Sequence, residues 1–199
     1  MKRFSPASER NKDPILAVLR TVVPASGHAL ELSAGSGQHS VHFAAALPGL
    51  VWQPTDIDPT AIASVAAHRE DAGLPNLLAP RVLDVTDADW GLPQPMDLIT
   101  SINMIHISPW AASEGLFAGA GRHLAPGGAL VTYGPYNVDG AFTAESNARF
   151  DASLRARNAA WGIRDLDDLL ALATAAGLTR EALIPMPANN FTVVYRKAA

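Results

Sequence analysis

Short, nearly continuous apolar runs alternate along the chain with stretches whose apolar positions fall at helical spacing. Ala29 to Ser33, Val51 to Thr55, Leu77 to Leu83, Met96 to Ile102 and Ala129 to Tyr133 have the continuity of parallel strands buried on both faces. Helices are predicted between them: Ser36 to Leu47, ended by Pro48-Gly49; Pro59 to Ala72, stopped by Gly73; and Ser113 to Leu124, before the turn Pro126-Gly127-Gly128. Asp13-Pro14 reads as an N-cap followed by a first-turn proline, opening a helix through Ile15, Val18 and Leu19. Asp165 caps a helix running to Ala176, with Asp168 placed for a capping box and Gly177 as terminator. Glu181 to Met186 and Phe191 to Arg196 then form two strands joined through Pro185-Met-Pro-Ala-Asn-Asn190, a connection short enough to demand an antiparallel hairpin. The alternation predicts a Rossmann-like α/β fold: a mostly parallel, seven-stranded sheet with helices on both faces and a C-terminal antiparallel hairpin.

Composition narrows the class. A chain of 199 residues suits one domain spanning 1–199, with no linker or repeat. Its 48% apolar and 17% charged residues fit a globular protein, and no run approaches the length of a membrane span. A net charge of −4 with scattered Lys and Arg gives no basic groove, so a long nucleic acid is not an expected partner. There is no cysteine, hence no disulfide, thiolate metal site or thiol nucleophile, and the start MKRFSPASER lacks a secretory apolar core. The expected location is the cytoplasm.

The chemistry gathers at predicted strand ends. In Glu31-Leu-Ser-Ala-Gly-Ser-Gly37, Gly35 and Gly37 allow positive φ and close approach of the backbone to a ligand. A dinucleotide fingerprint would place a third glycine where Ser40 stands, and the Glu31 carboxylate would repel a pyrophosphate while suiting the ammonium group of a methionine moiety. S-adenosylmethionine (SAM) is therefore the expected cofactor. An ordinary strand-to-helix turn is the competing account. Asp56, ending the second strand, can accept hydrogen bonds from ribose hydroxyls, and Ile57 can cover an adenine face. Asp84 and the Val85 N–H can meet the adenine edge, while Asn103, Met104 and His106 fall near the methionine end and the transferred group. Each also has a plain structural reading as a cap or turn residue. Four such groups at successive strand ends favour a site.

The series ELSAGSG, TDIDP, LDVTD, MDLITSINMIH and LAPGGALVTYGPY resembles the class I SAM-dependent methyltransferases over residues 28 to 136. The flanking FSPASERNKDPIL, FTAESNARFDASLRARNAAWGIRDLDDL and MPANNF are similar to the methyltransferase-like 26 type subgroup. Ser33 departs from the glycine usual at its place, which a serine can occupy if φ is negative. The resemblance implies methyl transfer from SAM to a small-molecule acceptor, with His106 as candidate base and Tyr136 as candidate orienting hydroxyl. It also makes residues 1–13 a lid, in which Arg10 holds the SAM carboxylate or an acidic acceptor and Asn11 adds a directional hydrogen bond. His39 is expected to face the cofactor or acceptor. His39 and His42 lack a third ligand, so no metal is expected. Asn147, Arg149, Arg155, Arg157 and Arg164 lie in an insertion that covers acceptors in related enzymes, and converging arginines there would indicate an anionic acceptor. Asn189 and Asn190 can reach the same pocket from the hairpin. A non-catalytic SAM-binding protein and a nicotinamide-dependent oxidoreductase remain as alternatives; the oligomeric state is not fixed.

Overall fold

The computed structural model describes residues 1–199. Five strands follow one another, joined by helical crossovers except between the third and fourth, where residues 83–95 form a loop: β1 (Gly27–Leu32), β2 (Leu50–Asp56), β3 (Arg81–Val82), β4 (Met96–Ile102) and β5 (Leu124–Gly134). The helices are α1 (Pro6–Val22), α2 (Gln38–Ala46), α3 (Pro59–Ala72), α4 (Trp110–His123), α5 (Glu145–Arg157) and α6 (Leu166–Ala175). A small satellite sheet of β6 (Tyr136–Val138), β7 (Ala141–Phe142) and β8 (Arg164–Asp165) precedes the terminal strands β9 (Leu178–Met186) and β10 (Asn190–Lys197).

The main sheet has the order β3-β2-β1-β4-β5-β10-β9. Its first five strands pair in parallel, and β10 pairs antiparallel with both β5 and β9, as the sequence predicts. Successive strand residues point to opposite faces and so divide between two cores. Leu98, Ala129 and Val131 join Ile15, Leu19, Phe43 and Trp52 beneath α1 and α2. Leu30, Ile99 and Leu130 join Phe117, Leu169 and Tyr195 beneath α4 and α6. No helix is long and apolar enough to cross a membrane.

Two expectations are corrected. The first helix begins at Pro6, not Pro14: Ser5 caps it by accepting from the Ser8 N–H at 3.2 Å, and Pro14 lies inside. Ser5-Pro6 carries the same cap-and-proline signature as Asp13-Pro14, and the tertiary contacts of Ile15, Leu16 and Leu19 hold the helix together across the proline. Leu77 to Leu83 is not one strand either. A single bridge from Leu77 to Trp52 is followed by Pro80, which lacks an amide hydrogen, and pairing resumes only at Arg81 on this sheet edge.

Trp90 links this framework to the site. Its indole packs against Gly119 of α4 while its Nε1–H donates to the Val85 carbonyl at 3.3 Å. A Cβ on Gly119 would lie 1.9 Å from the Trp90 ring. Gly119→Ala should therefore destabilise the protein by roughly 1–3 kcal/mol, although alanine is the better helix former. Thermal unfolding followed by circular dichroism should show a loss of about 2–4 °C per kcal/mol; an unchanged midpoint would contradict the packing described.

Candidate functional site

β1 lies between β2 and β4, so the connections leaving its two neighbours diverge and open a crevice at the carboxyl ends of the strands. The chain leaves β1 at Ser33 and β4 at Asn103, and both residues are left-handed, with φ of +55° and +64°. The condition of a negative φ for serine at position 33 is thus not met, and Ser33 holds the place with a positive φ. The backbone has to turn at once toward Gly35 (φ +60°) and Gly37 (φ +91°), and side-chain-bearing residues tolerate that conformation only at a cost of about 1–3 kcal/mol. At Gly37 a Cβ would stand 2.8 Å from Val65 Cα, so the glycine also permits the close approach of α3.

A cavity of about 480 Å³ occupies one side of the crevice, lined by Ser33, Gly35, Asp56, Ile57, Asp84, Val85 and Met104 among others. Asp56 is buried, and its two oxygens accept from the Gly35 and Asp58 amides, each at 2.9 Å. Those bonds fix the carboxylate at the β2 end and leave lone pairs for a ligand. Asp84 accepts from the Thr86 amide and hydroxyl at 2.9 and 2.8 Å. No protein acceptor takes the Val85 N–H. Ile57, 58% exposed, forms an apolar lip. Arg3 closes the outer rim, donating to Asp58 at 3.1 Å and Thr60 at 3.3 Å. Reasoning from sequence gave Arg3 no role, because only the fold carries the N-terminal segment across α3. A carboxylate at one end, a free N–H at the other and apolar walls between them suit a nucleoside.

A second cavity, about 630 Å³, is lined by Arg10, Asn11, Asn103, His106, Tyr133, Asn147, Phe150, Asn189 and Asn190, with no Asp or Glu. Asn103 and Met104, consecutive in the chain, face the second and first cavity respectively. His106 is 4% exposed, its ring has no protein hydrogen-bond partner, and it lies edge-on to Phe150, with ring centroids 5.5 Å apart. Burial, aided by the nearby Arg164 charge, lowers its pKa to about 4, so the imidazole is neutral at physiological pH. Arg10 forms no ion pair. Tyr133, which sequence reasoning passed over as a core strand residue, sits beside Asn11 with its hydroxyl pKa raised by burial.

Other expected site residues lie elsewhere. Tyr136 points into the core and donates to Thr132 Oγ1 at 3.0 Å, lining neither cavity. Its position just past the β5 end suggested otherwise, but the satellite sheet turns it inward. Glu31 is buried under the Gly-rich loop, where it accepts from Trp52 Nε1 at 2.8 Å and lines neither cavity. Desolvation raises its pKa to about 7 against the hydrogen bonds of Ser40 and Trp52. His39 stands one layer behind the second cavity, its Nε2 2.7 Å from Asn11 Oδ1, and burial lowers its pKa to about 4. His42 lies 3.0 Å from Asp13, and no group of three His, Asp or Glu side chains is placed to hold a metal ion. The insertion arginines do not converge: Arg149 pairs with Glu145, Arg155 with Asp151, Arg157 covers Trp161, and Arg164 donates to the Ser108 and Ala160 carbonyls.

These buried groups set the acid stability. Between pH 6.5 and about 4 the unfolded chain protonates His39 and His106 while the native protein does not, so acidification destabilises. Glu31 acts oppositely between pH 4.5 and about 7, where the native state holds the extra proton. Where the windows overlap, one net proton favours unfolding, and stability should fall by roughly 1.4 kcal/mol per pH unit. Urea unfolding at pH 7, 6 and 5 measures it. Glu31→Gln should steepen the fall, and a flat profile in both proteins would refute the assignment.

The architecture is shared with solved methyltransferases. An O-methyltransferase family protein from Burkholderia thailandensis superposes with a TM-score of 0.82 at 16% identity, over 97% of this chain and 58% of that one. An O-methyltransferase family 2 protein from Planctomyces limnophilus, solved with apigenin, gives 0.79 at 19% identity, over 96% and 60%. Human N-acetylserotonin methyltransferase, solved with SAM, gives 0.79 at 15% identity, over 97% and 53%. The chain thus spans between half and two thirds of the length of these proteins, and the likeness is one of fold: the class I methyltransferase sheet with its C-terminal hairpin. Residues 2–197 match the family described as protein of unknown function (DUF938), and the chain belongs to that family.

Proposed function

We propose that the protein is a SAM-dependent methyltransferase acting on a small-molecule acceptor. The observation that carries this reading is the pair Asn103-Met104, consecutive residues of which Met104 lines the cavity whose carboxylate, free N–H and apolar walls suit a nucleoside and Asn103 lines the one containing a buried, neutral histidine with an unpartnered ring. The residues present fit the cofactor. Asp56 would take the ribose hydroxyls, Asp84 and the Val85 N–H the adenine edge, and Ile57 and Met104 its faces. Arg10 and Asn11 would take the methionine carboxylate, with Asn103 and the backbone of Ser33, Gly35 and Gly37 alongside. SAM, when bound, supplies an electrophilic methyl group on a sulfonium.

His106 is unprotonated at physiological pH and its ring makes no hydrogen bond to the protein, so it has a free lone pair for the acceptor's hydroxyl proton, while the burial that keeps it neutral also lowers its basicity. Residues 1–13 act as the lid: Arg3 at the rim of the first cavity, Arg10 and Asn11 in the wall of the second. Gln38 ties this segment to the Gly-rich loop by accepting from the Ser5 amide and donating to Glu9 at 3.0 Å. The finer assignment to the methyltransferase-like 26 type rests on the flanking sequence signatures. The oxidoreductase reading is disfavoured by Ser40 at the third glycine position.

Calorimetric titration should show binding of SAM and S-adenosylhomocysteine (SAH) and none of NAD. Asp56→Ala should weaken SAH binding by roughly 10- to 150-fold, the worth of hydrogen bonds to a charged group. Binding of NAD in preference to SAH would refute the proposal. Once an acceptor is in hand, His106→Gln should lower turnover by about 10²- to 10⁴-fold with SAM affinity unchanged.

A further inference from the structure

The second cavity has two chemically different walls. On the α5 and hairpin side, three asparagines commit their amide nitrogens to the protein. Asn147 Nδ2 donates to Thr143 Oγ1 and to the Asn189 carbonyl, both at 3.0 Å. Asn189 Nδ2 donates to Ser146 Oγ at 3.1 Å, and Asn190 Nδ2 to the Pro187 and Ala188 carbonyls at 3.0 and 3.2 Å. A backbone carbonyl can only accept, so these bonds fix the orientation of the Asn147 and Asn190 amides. The three side-chain oxygens receive no protein donor. Asn147 is only 5% exposed, and that exposure opens on the cavity. Ala188 and Asn189 are held left-handed, with φ of +60° and +57°, to keep the hairpin tip over α5, an outlier of the kind that collects at ligand walls.

The opposite wall is a donor wall: Arg10 has no ion pair, and Asn11 spends its oxygen on His39. Phe150 shares a face of α5 with Asn147 at i,i+3 spacing, so the two side chains leave the helix about one turn apart, ~5–6 Å between Cβ atoms, and His106 packs against the Phe150 ring. An ammonium acceptor would find no protein carboxylate to pair with. With Arg10 committed to the SAM carboxylate, a carboxylate acceptor would meet a row of amide oxygens.

Resting on the methyltransferase reading, we infer that the acceptor is an uncharged, flat molecule bearing two adjacent hydroxyl groups. One hydroxyl donates to the asparagine oxygens, its neighbour is presented to His106, and the ring lies on Phe150. The test is calorimetry on SAH-saturated protein with four probes: catechol, 1,2-dimethoxybenzene, which keeps the ring and lacks the donors, cationic dopamine and anionic 3,4-dihydroxybenzoate. Catechol should bind at least about fivefold more tightly than 1,2-dimethoxybenzene and more tightly than either charged probe, as expected for one or two neutral hydrogen bonds. Asn147→Leu should weaken catechol by about three- to tenfold and leave SAH affinity unchanged, which also shows that the variant is folded. Equal binding of catechol and 1,2-dimethoxybenzene, or preference for a charged probe, overturns the inference alone. Unchanged catechol affinity in Asn147→Leu overturns the role of the asparagine wall. Failure of SAH to bind overturns the methyltransferase reading and this inference with it.

Discussion

The position of β1 between β2 and β4 is the constraint from which the site follows. Parallel pairing on both sides fixes β1 rigidly, and the reversal of strand order leaves its carboxyl end uncovered by any crossover. The backbone emerging there has few conformations open to it. Ser33 and Asn103 accept left-handed geometry because pairing on both flanks over-determines where β1 and β4 must stop. Asp56 then binds the loop to the sheet by accepting from Gly35 and from its own turn. One carboxylate thus fixes the shape of the Gly-rich loop and still faces a ligand.

Burial beneath this loop decides which groups carry charge. Glu31, His39 and His106 are each nearly sealed from water, and desolvation moves all three toward their neutral forms. The consequences differ because their partners differ. Glu31 is held by Trp52 and serves the floor of the loop. His39 orients Asn11. The His106 ring has no protein partner and opens on a cavity, so its free lone pair is available to a ligand. Similar burial yields a structural acid, a positioning base and a free base.

The second cavity is assembled from parts remote in sequence: α1, the ends of β4 and β5, α5 and the hairpin tip. Its polarity arises from how the asparagines spend their donors, not from net charge. Side-chain amides carry both functions, and whichever one the protein uses leaves the other to the ligand. The arginines of α5 and β8, the most conspicuous charges of that region, are taken up by Glu145, Asp151, the Trp161 ring and backbone carbonyls and take no part in the wall.

The sheet was legible in the sequence because strands buried on both faces must be apolar throughout, and β4 and α3 run over the residues their patterns predict. The strand ends were legible for the same reason: where an apolar run stops, a polar group emerges, and Asp56, Asp84, Asn103 and His106 all line a cavity. Local pattern could not decide which of two cap-and-proline signatures starts α1, since packing of Ile15 and Leu19 overrides the interior proline. Nor could it tell that Tyr136 turns inward while Tyr133 faces a cavity, or that Glu31 points to Trp52. Those outcomes depend on contacts between residues far apart in the chain. The sequence by itself determined the order of the main-sheet strands and the chemistry available at each strand end, because both are read from neighbours. Only the tertiary structure decided which side chains share a cavity and which of their atoms remain free, because hydrogen bonds such as Asn147 to Asn189 and burial such as that of His106 exist only once the chain has closed on itself.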